Sequence, residues 1–178
     1  MKKLNLLGLI IFFLIGNVLI GHSDIQREGG YPPEGYCSAK STLKIIWEAI
    51  NNVDMGADCE VHCPAGQTPS CHGYFFSCSC ECLSGPKTPN IVMPHSLSND
   101  DIKIANDFTT FCNQSQSSSI QQLGALVNSA KEAILQSNTT LYTSSELQFD
   151  QIFDQLGSLD IQAIETWINN YAQNWNNH

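Results

Sequence analysis

The chain has 178 residues, eight of them cysteine, and its 8 basic against 17 acidic side chains give a formal net charge of −9. Only 14% of the residues are charged, against about 25% in typical proteins. An acidic chain without a basic patch is a poor ligand for nucleic acid or for an anionic membrane surface, so we expect neither as a partner.

The first 23 residues have the pattern of a secretory signal peptide. Two lysines precede an apolar run over residues 6–20, and Gly21 and Ser23 form a small-x-small cleavage site. A membrane-spanning helix needs about 20 apolar residues, which favours cleavage over the alternative of an uncleaved membrane anchor. The mature chain then begins near Asp24 with six basic and seventeen acidic residues, a net charge of −11. We expect a secreted or periplasmic protein with no membrane contact after cleavage.

The next two segments differ in their apolar periodicity. Residues 24–36 contain Gly-Gly and Pro-Pro pairs and no periodicity, which predicts an extended lead-in. Ser41 is a suitable N-cap for a helix that reaches about Asn52. One face of that helix carries Leu43, Ile46, Trp47 and Ile50. Helical spacing of apolar residues requires a partner surface, either the cysteine-rich segment or the C-terminal helices.

Residues 37–85 are predicted to combine this helix with a disulfide-rich module. Dense disulfides are typical of segments whose apolar core is too small to fold unaided. Read as a strand, residues 78–82 place three cysteines on one face and Ser79 and Glu81 on the other, as in a short β-hairpin. Residues 86–97, with three prolines, are predicted to be a linker.

An even number of cysteines behind an export signal predicts disulfides. We expect four bonds among Cys37, Cys59, Cys63, Cys71, Cys78, Cys80, Cys82 and Cys112. Spacing does not fix the pairing, although Cys37 is the favoured partner of Cys112 because that bond would dock the first helix on the C-terminal half. A structural zinc site using Cys59, Cys63, His62 and His72 is the alternative, and a calcium loop at Asp54, Asp58 and Glu60 matches only loosely. We predict no metal and no cofactor.

Helical periodicity extends from residue 98 to residue 178 and predicts about four amphipathic helices in an antiparallel bundle. Their apolar faces comprise Ile104, Phe108 and Phe111; Ile120, Leu123, Val127, Ala130 and Ile134; Phe149, Ile152, Phe153 and Leu156; and Ile161, Ile164 and Ile168. The predicted fold is therefore α-rich with a small β part: a cysteine-stapled module with a short hairpin, followed by the bundle.

The last predicted helix carries an aromatic stripe. Trp167, Tyr171 and Trp175 are spaced by four residues, so they lie along one side of the helix. Such a stripe fits core packing, and it also fits a contact with a protein or glycan partner. Asn113 and Asn138 lie in glycosylation sequons, which are used only in a eukaryotic secretory pathway.

No catalytic motif of a known class occurs in the chain, which favours a non-catalytic binding or interaction protein over an enzyme. The alternative is a small secreted hydrolase or enzyme-active toxin using His62 or His72 with a carboxylate from Glu60 or Glu81. A histidine within hydrogen-bond reach of a carboxylate in a cleft would favour the enzyme. Flat, exposed histidines would favour binding.

Overall fold

A computed structural model describes residues 35–52, 54–85 and 89–175 of the chain. The predicted signal peptide, most of the predicted lead-in and the first residues of the predicted linker lie outside these ranges. In chain order the elements are β1 (Tyr36–Lys40), α1 (Thr42–Ala49), β2 (Asp58–His62), β3 (Thr68–Gly73), β4 (Cys78–Leu83), α2 (Asn99–Gln114), α3 (Ser118–Leu135), α4 (Thr139–Phe153) and α5 (Ser158–Trp175). No helix among them has the length and apolar character needed to cross a membrane.

The strands form two separate antiparallel hairpins, β1–β2 and β3–β4, where the sequence had predicted one. In the first, Cys37 pairs with Val61 and Ala39 with Cys59; in the second, Cys71 pairs with Cys80. The hairpins pack on each other, β1 beside β3 and β2 beside β4, with cysteine sulfurs between them. Neither hairpin has a large apolar face of its own, so the sulfurs take the place of a hydrophobic core.

The predicted N-terminal helix is confirmed as α1, and its first residues are hydrogen-bonded to the β3–β4 hairpin. The Ser41 hydroxyl accepts from the N–H of Lys44 at 3.0 Å and caps the helix. The next two N–H groups, of Thr42 and Leu43, donate to the carbonyls of Tyr74 and Phe75 at 2.8 and 2.9 Å. Helix N-termini always leave such donors without an intrahelical partner, and here the β3–β4 loop supplies the acceptors.

One hydrophobic core joins α1 to the C-terminal helices. The buried face of α1 contains Leu43, Ile46, Trp47 and Ile50, as its spacing predicted. The Trp47 indole donates to the buried carboxylate of Asp101 at 2.9 Å, and its ring meets that of Trp175 edge-on at 5.6 Å. Asp101 also accepts from the N–H of Ser98, completing a capping box at the start of α2. A single carboxylate therefore caps α2 and docks α1.

The C-terminal helices bury the faces that their periodicity predicted. Fully buried side chains include Ile104, Phe108, Ile120, Leu123, Val127 and Phe149. Helix α3 packs between α2 and α4, and α5 packs on α1. The described part of the predicted linker, residues 89–97, has no helix or strand, yet Ile91, Met93 and Leu97 pack against the same core. Across the described residues the fold is therefore a mixed, helix-rich α+β architecture with five helices and two small hairpins.

Candidate functional site

The β3–β4 hairpin has two chemically different faces. Its register pairs Ser70 with Glu81 and His72 with Ser79, while Cys71 pairs with Cys80 on the other side. Because side chains alternate along a strand, the cysteines turn toward the first hairpin and the four polar residues share the opposite face. The predicted separation of cysteines from Ser79 and Glu81 is confirmed. The polar face is where His72 meets hydroxyl and carboxylate groups.

Helix α4 holds this hairpin with three side chains spaced four residues apart. Tyr142 donates from its hydroxyl to Ser77 Oγ at 2.9 Å. Glu146 accepts the backbone N–H groups of Phe75 and Phe76 at 2.8 and 3.1 Å. The third residue of the row is Asp150. Residues four apart lie on one face of a helix, so the row runs along the hairpin from its loop toward its polar face.

Asp150, His72 and Ser70 form a continuous hydrogen-bonded chain. Asp150 Oδ2 lies 3.2 Å from His72 Nδ1, and His72 Nε2 lies 3.1 Å from Ser70 Oγ. In the neutral imidazole, a proton on Nδ1 directed at the carboxylate leaves Nε2 to accept from the hydroxyl. This is the order of contacts that general-base activation of a serine requires. The side chain of Asp150 is only 15% exposed, so packing restricts its position.

Acidic neighbours favour the charged form of His72. Its pKa is raised above the ordinary value, first by the hydrogen bond with Asp150 and then by the negative charges of Asp150, Asp154 and Glu81, while partial burial acts in the opposite direction. The imidazolium that forms when His72 takes a proton is therefore stabilised. The same charges disfavour a developing negative charge on a bound substrate.

A small recess opens beside these groups. It has a volume of about 30 Å³ and is lined by Ser70, His72, Ser79, Glu81, Leu83 and Pro89, which is room for one or two water molecules. A wider, open hollow of about 440 Å³ lies further along the hairpin, lined by Gly66, Thr68, Leu83, Ser84 and Gly85. Leu83 lines both, so the hollow adjoins the recess.

The histidine and carboxylate pairs expected from the sequence are rearranged. His72 does meet a carboxylate, but the partner is Asp150 rather than Glu60 or Glu81. Glu60 accepts from the Tyr36 hydroxyl at 3.2 Å, and Glu81 accepts from the N–H of Asn90 at 2.6 Å. His62 is exposed and its ring lies 4.7 Å from that of Tyr36.

The cysteines divide into one pair, one cluster and one isolated residue. Cys63 is bonded to Cys82, which leaves the alternative zinc ligand set without one of its cysteines. A cluster of five sulfurs, called here the sulfur cluster, lies between the two hairpins. It consists of Cys37, Cys59, Cys71, Cys78 and Cys80.

Cys112 is fully buried at the contact of α2 with α3, beside Gly124, and has no cysteine partner although the described residues include all eight. The predicted Cys37–Cys112 bond is therefore wrong, because Cys37 contacts Cys71 instead. The expectation that every cysteine is bonded fails at Cys112. The apolar face of α1 and the hydrogen bond from Trp47 to Asp101, rather than a disulfide, attach that helix to the C-terminal half.

A soft metal ion is the other chemistry open to this region. The sulfurs of Cys37, Cys71 and Cys80 lie within 4.8 Å of one another, and thiolates are ligands of zinc and copper(I). Such a site requires reduced cysteines. Of the loosely matching calcium ligands, Asp54 is exposed, and the Asp58 carboxylate lies 3.8 Å from Lys44 Nζ.

The aromatic side chains along α5 stack on one another and on aromatic residues of other helices. Trp167 stacks on Phe111 at 5.4 Å and on Tyr171 at 4.8 Å, and Trp175 packs against Trp47. All three stripe residues are partly buried against the core. Their inner surfaces therefore stabilise the fold, and their contact with a partner stays a prediction.

Comparison with known proteins adds no family to this description. No protein-family model matches the chain, and neither a curated protein nor a solved structure shows detectable similarity to it.

Proposed function

We propose that this protein is an exported serine hydrolase of low turnover, with Ser70 as nucleophile, His72 as general base and Asp150 as the residue that orients the base. The observation that carries the proposal is the hydrogen-bonded order Asp150 Oδ2, His72 Nδ1, His72 Nε2, Ser70 Oγ, at 3.2 and 3.1 Å. We also propose that the protein is exported and that its four C-terminal helices are arranged antiparallel to one another.

The chemistry is acyl transfer from an ester. Ser70 Oγ attacks the carbonyl carbon as its proton passes to His72 Nε2, and Asp150 stabilises the imidazolium that results. The imidazolium returns the proton to the departing alcohol. A water molecule then loses a proton to His72 and attacks the carbonyl carbon of the acyl-serine. The bond between that carbon and Ser70 Oγ breaks, and the imidazolium gives its proton to Ser70 Oγ, which releases the acid and restores the hydroxyl.

The surroundings of the site limit its rate and its substrates. General-base catalysis contributes about 10²–10⁴-fold, whereas most powerful hydrolases add a set of donors that stabilises the oxyanion. We assign Ser79 as such a donor because it lines the recess and pairs with His72 across the hairpin, and Glu81 opposes negative charge nearby. We therefore expect slow cleavage of small neutral or cationic esters and poor cleavage of anionic ones.

The test is hydrolysis of an activated neutral ester by purified mature protein. Ser70→Ala and His72→Ala should each reduce the rate to near background, and Asp150→Asn should reduce it at least tenfold. His62→Ala is the matched control, because His62 is an exposed histidine of the same module, and it should leave the rate unchanged. A Ser70→Ala protein that retains the wild-type rate would contradict the proposal.

A second candidate is the interaction protein expected from the sequence, with a protein or glycan as its partner. The observation that favours it is the outer face of the β1–β2 hairpin, where Ser38, Lys40, Asp58, Glu60 and His62 are all exposed on stapled strands. A photo-crosslinker at position 60 should then capture a specific partner of the exported protein, and one at position 128 on α3 should not. Equal capture from both positions would rule this candidate out.

A further inference from the structure

The sulfur cluster contains an odd number of cysteines. Cys63 and Cys82 are bonded to each other at one end of the stacked hairpins. Cys112 is buried at the contact of α2 with α3, away from every other cysteine. Five of the eight cysteines remain, and five sulfurs can form at most two disulfides among themselves. A fully oxidised monomer therefore keeps one thiol inside the cluster.

Within the cluster, individual sulfurs contact more than one other sulfur. Cys71 contacts both Cys37 and Cys80, with Cα–Cα distances of 6.0 and 4.1 Å. Cys59 lies 2.6 Å from Cys80 and also interacts with Cys78. A sulfur forms only one disulfide at a time, so these contacts are alternatives. The separation of the Cys37 and Cys71 Cα atoms lies within the usual range for a disulfide, whereas that of Cys71 and Cys80 lies below it.

We propose that the sulfur cluster is a thiol–disulfide exchange site in which the fifth thiol moves the disulfides between alternative partners. In the starting form the bonds are Cys37–Cys71 and Cys59–Cys80, and Cys78 carries the thiol. The thiolate of Cys78 attacks the sulfur of Cys59, a Cys59–Cys78 bond forms, and Cys80 leaves as a thiolate. Cys80 takes up the proton that Cys78 lost, so no oxidant or reductant is consumed.

A second exchange step follows between Cys80 and the Cys37–Cys71 disulfide. The Cys80 thiolate attacks the sulfur of Cys71, which forms Cys71–Cys80 and releases Cys37 as the thiol. In this way the thiol moves from the partly exposed Cys78 to the buried Cys37. The partly exposed positions are where an external disulfide or alkylating agent can react.

Burial makes the exchange slow at neutral pH. Desolvation raises the pKa of Cys59 and the pKa of Cys78 above the ordinary value of a thiol. Only the thiolate attacks a disulfide, so the attacking species is scarce near pH 7. Each unit of pH below the thiol pKa should change the exchange rate about tenfold.

The experiment counts and maps thiols in the exported protein. Protein collected without reductant is denatured in urea with N-ethylmaleimide, and its intact mass is measured. We expect two adducts on the wild type, one at Cys112 and one distributed over at least two cysteines of the sulfur cluster. Cys112→Ala should carry one adduct. Cys78→Ser leaves four cysteines in the cluster, so it should carry a single adduct, at Cys112.

Several results would overturn the proposal. No adduct on the wild type would mean that Cys112 is bonded after all. Stoichiometric zinc or copper together with free cluster thiols would make the cluster a metal site. A cluster adduct confined to one cysteine, after incubation of the native protein at pH 8, would show that the disulfides do not exchange. The wild-type measurements decide the matter even where a variant fails to fold.

Discussion

Glu146 is the buried carboxylate on which the attachment of the β3–β4 hairpin to α4 depends. It is fully buried, and its two oxygens accept the backbone N–H groups of Phe75 and Phe76. Glu146→Gln keeps the volume of the side chain but replaces one acceptor oxygen by an NH₂ donor. One backbone N–H then loses its acceptor, which should reduce the free energy of unfolding by about 1–3 kcal/mol.

The same residue should make the stability of the protein depend on pH. Burial raises the pKa of Glu146 to about 7 from its ordinary value of 4.5, although the two backbone N–H groups oppose the shift. Because the folded state binds the proton more tightly, the contribution is fully present below about pH 4.5 and is lost as the pH rises through 7. A difference of about 2.5 units corresponds to about 3 kcal/mol, as an upper bound.

Urea denaturation of the wild type and of Glu146→Gln at several values between pH 5 and pH 8 is the assay. The wild type should lose stability across this interval, and the variant should lose much less, so the gap between them narrows at high pH. His72, whose pKa is also raised, contributes in the same direction and accounts for the residual slope of the variant. Equal slopes for the two proteins would refute the assignment to Glu146.

Three further substitutions test the packing. Gly124→Ala places a methyl group 2.5 Å from Cβ of Cys112. The clash should outweigh the gain in helix propensity, so thermal unfolding should show a free energy of unfolding about 1–2 kcal/mol lower than that of the wild type. A stability equal to that of the wild type would contradict this contact. Trp47→Phe removes the donor to the buried Asp101 carboxylate, so urea denaturation should show a free energy of unfolding lower by about 2 kcal/mol. An unchanged urea midpoint would mean that packing alone docks α1. Tyr74→Phe removes the buried hydroxyl that has no hydrogen-bond partner among the described residues and should raise stability by about 1 kcal/mol; a clear loss by calorimetry would reveal a partner.

Local signals predicted the helices well. The apolar spacing of α1 and its capping serine, Ser41, mark a helix start that the structure contains. Hydrogen bonds at a cap and the period of an amphipathic face both depend on residues within a few positions of each other, so the sequence carries them directly. The alternation of cysteines with polar residues along β4 predicted a strand for the same reason.

The candidate site could be predicted only in part, because its members come from distant elements. His72 was a candidate, but Asp150 lies on a helix 78 positions later in the chain, and its spacing from Tyr142 and Glu146 gave no sign of the hairpin it contacts. Ser70 was not a candidate, because no motif in the sequence singles it out. The sequence signal for this pair is the spacing of Ser70 and His72, because residues two apart in a strand lie on the same face. Using that signal would have required predicting β3 as a strand.

Cysteine counting failed for a related reason. An even total predicts complete pairing only where each cysteine can reach another, and packing places Cys112 on a helix face directed into the core beside Gly124. The β1–β2 hairpin was missed because its second strand, Asp58–His62, alternates polar residues with one valine and one cysteine and lacks an apolar pattern.

Covalent labelling of the proposed nucleophile tests the central claim most directly. A fluorophosphonate forms a stable bond only with a serine whose hydroxyl is activated by a neighbouring base. The native mature protein should be labelled at Ser70, and the urea-denatured protein, His72→Ala and Asp150→Asn should lose most or all of that label. No label at Ser70 in the native protein, or equal labelling after denaturation, would contradict the assignment of Ser70, His72 and Asp150 as a hydrolytic centre.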